Sequence, residues 1–408
     1  MPETEVLDAA PLAGAGAIPD RADLIFGLAS FPSGEEGREL LSHLSEANIL
    51  LNSSAVLVLP NPAQATSELR LPAVAIDSTV AEVSTPPWLR SFEQMRALAR
   101  TASKFHAKTC VLLGPDAQQL SAADIAKFAE AVKKTECDLV MPRYPLGPAE
   151  GLLNRSILYP LTRVLYGKRI HFPLPMDAVF SEPMMRLAAE PQSNRRAITG
   201  LPWFGVDATV ANLRICEAPL PVSHQPRTEG ADLTAVLSSV LGPLFQDMEV
   251  MAATWQRARN STEVPQLSST LLPNEPNEAI DSQRMIESFL LGSRNLHEIW
   301  SLVLPPVTLF ELKKLARLPA EQFRLPDSLW VRIVYDFALA HRLRSINRAH
   351  IFGALTPLYL GWAASYALEI GAATSAIADA RTEKLAAAFE TDKSYLLSRW
   401  RWPDRFNP

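Results

Sequence analysis

The stretch VLLGPDAQQLSAADIAKF, residues 111–128, passes from a short apolar segment through Gly114-Pro115-Asp116 into a segment of different rhythm. Val111 to Leu113 suit a buried strand. Beyond Ser121, apolar residues recur at the three- and four-residue spacing of a helix. Strand, break and helix together make the repeating unit of an α/β sheet, whose ligand chemistry gathers at the carboxyl ends of its strands. Asp116 falls at such an end. It reads either as a carboxylate of a metal site or as a turn or helix-start residue. Ser121 could cap the following helix by itself, so the stretch leaves both readings open.

The same alternation extends in both directions. Apolar runs lie in DLIFGLAS (23–30), SAVLVLP (54–60), KTCVLLG (108–114), CDLVMPRY (137–144) and ATVANLRICEA (208–218). Between them, EGRELLSHLSEANIL (36–50), FEQMRALARTASKF (92–105) and AADIAKFAEAVKK (122–134) have the pattern of amphipathic helices. An α/β domain over residues 22–231 is expected. From Asp232 the character changes to all-α. DLTAVLSSVLGPLFQDMEVMAATWQRA (232–258) is one long helix or a broken pair, a Ser/Pro/Asn-rich linker or exposed loop covers about 258–282, and helical segments continue to Trp400.

Composition narrows the function classes. With 408 residues, 48% hydrophobic and 20% charged, the chain can bury two cores. A net charge of −5 without a Lys/Arg cluster disfavours a nucleic-acid or anionic-membrane partner. Cys110, Cys137 and Cys216 form no CxxC pair, which fits a reducing cytoplasm better than a disulfide framework or a structural zinc site. Residues 1–21 are acidic and rich in small residues, the pattern of a disordered arm rather than a signal peptide. IFGALTPLYLGWAASYAL (351–368) has spanning length, but Pro357 and its polar residues make it a buried helix entered through a proline-marked break, with no membrane span.

Candidate polar residues accompany these elements. His224 lies in the proline-flanked loop of APLPVSHQPRTEGADL, where a histidine is functional or merely solvated. Asp177 in HFPLPMDAVFS and Asp207 in WFGVDATVANL adjoin apolar runs and suit a pocket mouth or a helix cap. Arg163, Lys168 and Arg169 could meet phosphate or lie solvated. No GxGxxG, Walker loop, GxSxG elbow, kinase set or HExxH is present.

One longer segment is more specific. LLNRSILYPLTRVLYGKRIHFPLPMDAVFS, residues 152–181, resembles the central segment of bacterial family-2-like glycosyltransferases related to glucosylglycerate and mannosylglycerate synthases. FGVDATVANLRI and the helical tail resemble the same family, so the likeness runs from about residue 22 to residue 400. It implies a GT-A nucleotide-sugar-binding domain, a Rossmann-like mixed sheet, followed by an all-α C-terminal domain that pairs into a homodimer.

The implied activity is metal-dependent, retaining transfer of a sugar from a UDP- or GDP-linked nucleotide diphosphate sugar to a small acceptor, glycerate-like compounds among them. By the resemblance, Asp116 and His224 hold Mg2+ or Mn2+ on the diphosphate. Ala29, Ser30, Phe31 and Arg90 contact the nucleotide, with Lys168 and Arg169 near phosphate, and Asp177 and Asp207 line the sugar and acceptor side. The chain departs from the family pattern in several places. The first Asp of the family's Asp-x-Asp is Gly114, its Ser/Asp/Gly-rich loop has become LVLPNPAQATSE, and its Gly-Gly acceptor turn is Leu174-Pro175-Met176. A degenerate pseudo-glycosyltransferase acting as a binding or regulatory protein is the alternative, and a helical scaffold docking on a membrane through 351–368 is a third.

Overall fold

The computed structural model describes residues 10–11, 18–28, 31–32, 34–59, 71–75, 92–190, 201, 203–222, 232–268, 280–371 and 373–403. They form two compact units, a sheet unit of Met1–Pro145, Ile170–Gln225 and Val264–Leu272, and a helical unit of Leu146–Arg169, Pro226–Glu263 and Pro273–Pro408.

The strands in chain order are β1 (Ala10–Pro11), β2 (Leu24–Leu28), β3 (Ala55–Leu59), β4 (Ala73–Ala75), β5 (Thr109–Leu113), β6 (Leu139–Arg143), β7 (Lys168–Arg169), β8 (Ala178–Ser181), β9 (Ile215–Pro219) and β10 (Thr262–Glu263). Eight of them form one sheet in the order β1-β4-β3-β2-β5-β8-β6-β9. β2, β3, β4, β5, β6 and β9 run parallel, while β8 lies antiparallel between β5 and β6 and the two-residue β1 lies antiparallel on β4. The fold is therefore mixed α/β with a separate helical region, as the alternation of segments implies.

Continuous apolar strands such as AVLVL and TCVLL are what a sheet covered on both faces requires. Ile25, Val56, Val58, Cys110, Leu112, Met141 and Phe180 point to one face. There they join Leu98 and Ala102 of the helix Phe92–Lys104, Met184 and Met185 of Glu182–Ala189, and Phe204 and Ala208 of Phe204–Val210. Alternate residues, including Phe26, Leu57, Val111 and Val179, are equally buried and face the other way. The helix Ala122–Thr135 contacts β5, β6 and β8 and packs on Gly34–Leu50.

The segment carrying most of the family resemblance, Leu146–Arg169, belongs to the helical unit. Its Arg155, Tyr159 and Arg163 follow at one-turn spacing and so share a face. They meet the helix Ser375–Thr391, with Arg155 donating to Asp379 at 2.8 Å and the Tyr159 hydroxyl to Glu383 at 2.5 Å. Arg163 reaches Glu383 at 2.6 Å and forks onto both oxygens of Glu390 at 2.9 and 3.1 Å. Burial, reinforced by the Glu383 charge, raises the Tyr159 phenol, which keeps it a donor.

In the second region the structure chooses one of two readings and modifies two others. The stretch 232–258 resolves into a pair of helices, Leu233–Val250 and Ala252–Trp255. The described part of the Ser/Pro-rich segment is not a bare linker. β10 pairs in parallel with β7, and the backbones of Pro265 and Leu267 bond to that of Glu217 at 2.9 Å each. Extended polar backbone has the same ladder groups as any strand, and composition does not reveal whether an edge is available to it.

The break expected at Pro357 is absent, because the helix Arg348–Ile370 is continuous. A side chain at Gly292 would meet the proline ring at 2.5 Å, so glycine makes room for it, and the Trp300 indole donates to the Ala354 carbonyl at 2.9 Å, one residue from the acceptor that proline deprives. By length and composition His350–Ile370 could cross a membrane, but 67% of its apolar window is buried inside the fold.

Two expectations follow for the helical unit. Arg163→Met strands Glu383 and Glu390 without their cation. Arg163 is 4% exposed and the glutamates 40% and 27%, so the loss falls toward the lower end for a broken buried pair, about 3 kcal/mol in urea unfolding. Asp336, 1% exposed and bonded by Tyr395 and Arg399, has its carboxyl pushed up by burial to about 6, against the lowering pull of Arg399. The folded protein then holds a proton that the unfolded chain releases near pH 4, so stability falls as pH rises from about 4 to about 6, by roughly 3 kcal/mol from this group. Unfolding measured at pH 4 and 6.5 should show a smaller drop in Asp336→Asn than in the wild type, and an equal drop contradicts this.

Candidate functional site

The strand order fixes where a ligand site belongs. From β2 the chain builds outward to β3 and β4, then returns to the other side of β2 to lay down β5. The strand order therefore reverses between β2 and β5, and the carboxyl ends of strands at such a switch point are where open α/β sheets bind ligands. The loop after β2 holds Ala29, Ser30 and Phe31, and the turn after β5 is Gly114-Pro115-Asp116. Ala29, Ser30, Arg90 and His224 lie outside the described residues.

Asp116 opens a short turn, Ala117–Gln119, in which its carbonyl accepts the Gln119 N–H at 3.0 Å. Its carboxylate does not cap that turn. The helix beyond it is capped by Ser121, whose side chain accepts the Asp124 N–H in a reciprocal capping box. The local backbone thus uses Asp116 through its carbonyl, a role any residue could fill, and the carboxylate has no part in starting the helix.

Asp177 precedes the antiparallel strand β8 and so stands at the same sheet edge as the end of β5. It is 0% exposed. One carboxylate oxygen accepts the Gly114 N–H at 2.7 Å and the other accepts the Tyr144 hydroxyl at 2.6 Å. Burial and the neighbouring Asp177 charge hold the Tyr144 phenol well above its ordinary pKa, so it stays protonated and donates. The Phe172 ring meets Tyr144 edge-on at 4.8 Å. Asp177 thereby ties together the ends of β5, β6 and β8 and fixes the turn that carries Asp116.

The remaining sequence candidates are placed as follows. Phe31 is buried, its ring against Gly37 at the start of the helix Gly34–Leu50. Asp207 lies half-buried in the first turn of Phe204–Val210, its N–H on the Trp203 carbonyl at 3.0 Å. Lys168 and Arg169 belong to the helical unit, where Lys168 donates to Thr262 at 3.2 Å and Arg169 pairs with Glu263 at 3.0 Å.

Among the described residues no three His, Cys, Asp or Glu side chains gather into a metal cluster.

Tyr144, Arg143, His171 and Glu217 were not singled out from the sequence. Glu217 is a fully buried acid within the strand ICEAP, and a lone acid inside an apolar run is the signal that could have found it. Arg143 and Tyr144 close the run CDLVMPRY at a strand's carboxyl end, the position where polar residues meet ligands.

No protein-family model matches this chain, and no curated protein matches it. Among solved structures it is similar to glucosyl-3-phosphoglycerate synthase from Mycobacterium tuberculosis. In a complex of that protein with Mn2+, UDP-glucose and phosphoglyceric acid the identity is 16%, over 56% of this chain and 79% of that one, with a TM-score of 0.37. A second such complex gives 18% identity, 56% and 80% coverage and a TM-score of 0.36. A complex with UDP gives 15%, 56% and 79%, with a TM-score of 0.35.

Tyr144→Phe removes one of the two described donors to the buried Asp177 carboxylate. The expected loss is about 2 kcal/mol in urea unfolding with an unchanged denaturant slope; stability equal to the wild type would show that the hydroxyl is not what neutralises that oxygen.

Proposed function

We propose that this chain is a metal-dependent, retaining glycosyltransferase of the GT-A type, moving a sugar from a nucleotide diphosphate sugar to a small acceptor. The observation that carries the reading is the coincidence of two independent facts. The sheet order puts the switch point between β2 and β5, and the one acidic residue of the turn after β5, Asp116, is the position that the sequence resemblance assigns to a diphosphate-bound cation.

In this reading the loop at Ala29, Ser30 and Phe31 and the side chain of Arg90 orient the nucleotide, with Phe31 acting through its packed ring. Asp116 and His224 would hold Mg2+ or Mn2+, whose charge offsets that developing on the departing nucleoside diphosphate. Asp177 is a positioning residue that keeps the Asp116 turn in place, and Asp207 serves the sugar and acceptor side. Lys168 and Arg169 would contribute near phosphate only by leaving their present partners. Because both Asp177 oxygens already accept hydrogen bonds, it is not poised as a nucleophile, which favours attack from the face the leaving group departs. The same reading places the protein in the cytoplasm as a homodimer joined through its helical region.

A second reading, a pseudo-glycosyltransferase that binds without transferring, is favoured by one observation. Gly114 occupies the place of the family's first metal-site Asp, and its N–H is committed to Asp177. Calorimetric titration of UDP, and separately of GDP, with and without Mn2+ tests the metal and nucleotide site, and sugar transfer from a UDP- or GDP-linked sugar to an added acceptor separates the first reading from the second. The proposal expects Mn2+-dependent binding of one nucleotide, weakened about tenfold or more, roughly 1.4 kcal/mol, in both Asp116→Ala and His224→Ala. No nucleotide binding under any of these conditions contradicts it.

A further inference from the structure

Arg143 ends β6 at the same sheet edge as the Asp116 turn, two strands away across β8, about 10 Å by the usual strand spacing. In the parallel register of β6 and β9, Met141 stands beside Glu217, so Arg143, two residues further on, shares a sheet face with Glu217. Glu217 is 0% exposed, and the backbone of residues 265–267 pairs along its outer edge. A buried carboxylate must be met by donors, and His171 supplies both. Its backbone N–H reaches one oxygen at 2.7 Å and its Nδ1 the other at 2.8 Å.

Arg143 is treated differently. Its guanidinium stands 3.8 Å from the Glu217 oxygen that His171 already occupies, close enough for charge compensation and too far for a hydrogen bond. The nitrogen that faces Glu217, Nη1, is buried and has no hydrogen-bond partner among the described residues. The side chain is 14% exposed, so part of it other than Nη1 reaches solvent. Buried donors ordinarily find acceptors. A planar cation whose Nη1 faces a carboxylate, and whose Nε and Nη2 donate to no described residue, can offer that second edge to two oxygens of a phosphate or carboxylate side by side.

We infer that Arg143 is an oxyanion-binding residue, held in place by the buried Glu217 and the partly exposed His171 bonded to it, that takes a phosphate or carboxylate group arriving at the carboxyl edge of the sheet. The group is either a nucleotide phosphate or the acid group of a small acceptor, and the contact chemistry is the same. The assignment stands on the geometry of these three residues and does not require sugar transfer.

The test titrates inorganic phosphate into the full chain without nucleotide, by calorimetry, on the wild type and on Arg143→Lys, which keeps the charge and loses the fork. The double variant Arg143→Met/Glu217→Gln removes both charges together and supplies a folded control if single variants fail to fold. Saturable binding by the wild type, weakened about tenfold or more in Arg143→Lys and lost in the double variant, is expected, with thermal midpoints close to that of the wild type. A parallel titration of UDP with Mn2+ tells the source. An equal weakening assigns the oxyanion to the nucleotide, and an unchanged UDP affinity assigns it to the acceptor. Absence of saturable phosphate binding by the wild type, or equal affinities in all three proteins, overturns the inference. Intact phosphate binding without any binding of UDP or GDP overturns only the nucleotide-sugar reading.

Discussion

The carboxylate of Asp177 is the contact on which the carboxyl edge of the sheet depends. A single antiparallel strand inserted among parallel ones brings its first residues to the edge where its neighbours end, and here that residue is an acid with no exposure to water. An unbonded carboxylate in that position would cost several kcal/mol. The Gly114 N–H and the Tyr144 hydroxyl remove that cost, and in doing so they couple the end of β5 to the end of β6. Gly114 has given up the carboxylate that the resemblance expects of it, and its backbone has become the anchor of the turn instead. Pro115 then restricts the chain ahead of the half-buried Asp116.

The helical unit is organised by a similar economy of charge. Arg155, Tyr159 and Arg163 meet acids on the helix Ser375–Thr391, so two segments more than two hundred residues apart in sequence are matched by spacing and by sign. The Arg163 fork onto Glu390 is geometrically demanding in a way that a lysine could not reproduce. The most distinctive run of the sequence, YPLTRVLY, therefore carries its resemblance to the glycosyltransferases in residues that hold the helical unit together.

Local pattern explains what could be read from the sequence. The strands were legible because each is a short apolar run bounded by turn residues, and the helices between them because their period is unambiguous. The value of Asp116 as a strand-end carboxylate was legible for the same reason. The burial of Asp177 was not, since a lone acid beside an apolar run fits a pocket mouth, a cap or a strand-tying position equally well, and only the antiparallel course of β8 chooses among them. The continuity of the helix through Pro357 depended on the absence of a side chain at Gly292, sixty-five residues earlier, which no local pattern reveals. Arg143 and Glu217 escaped notice because their relation is a cross-strand register, a property of the sheet and not of either segment.

Crystals grown with UDP and Mn2+, with anomalous data collected at the manganese edge, test most directly the proposal that the switch point between β2 and β5 holds a nucleoside diphosphate through a cation on Asp116. The expected result is a manganese peak at the Asp116 carboxylate with the diphosphate lying over the ends of β2 and β5. A nucleotide bound elsewhere, or a manganese peak away from Asp116, contradicts it.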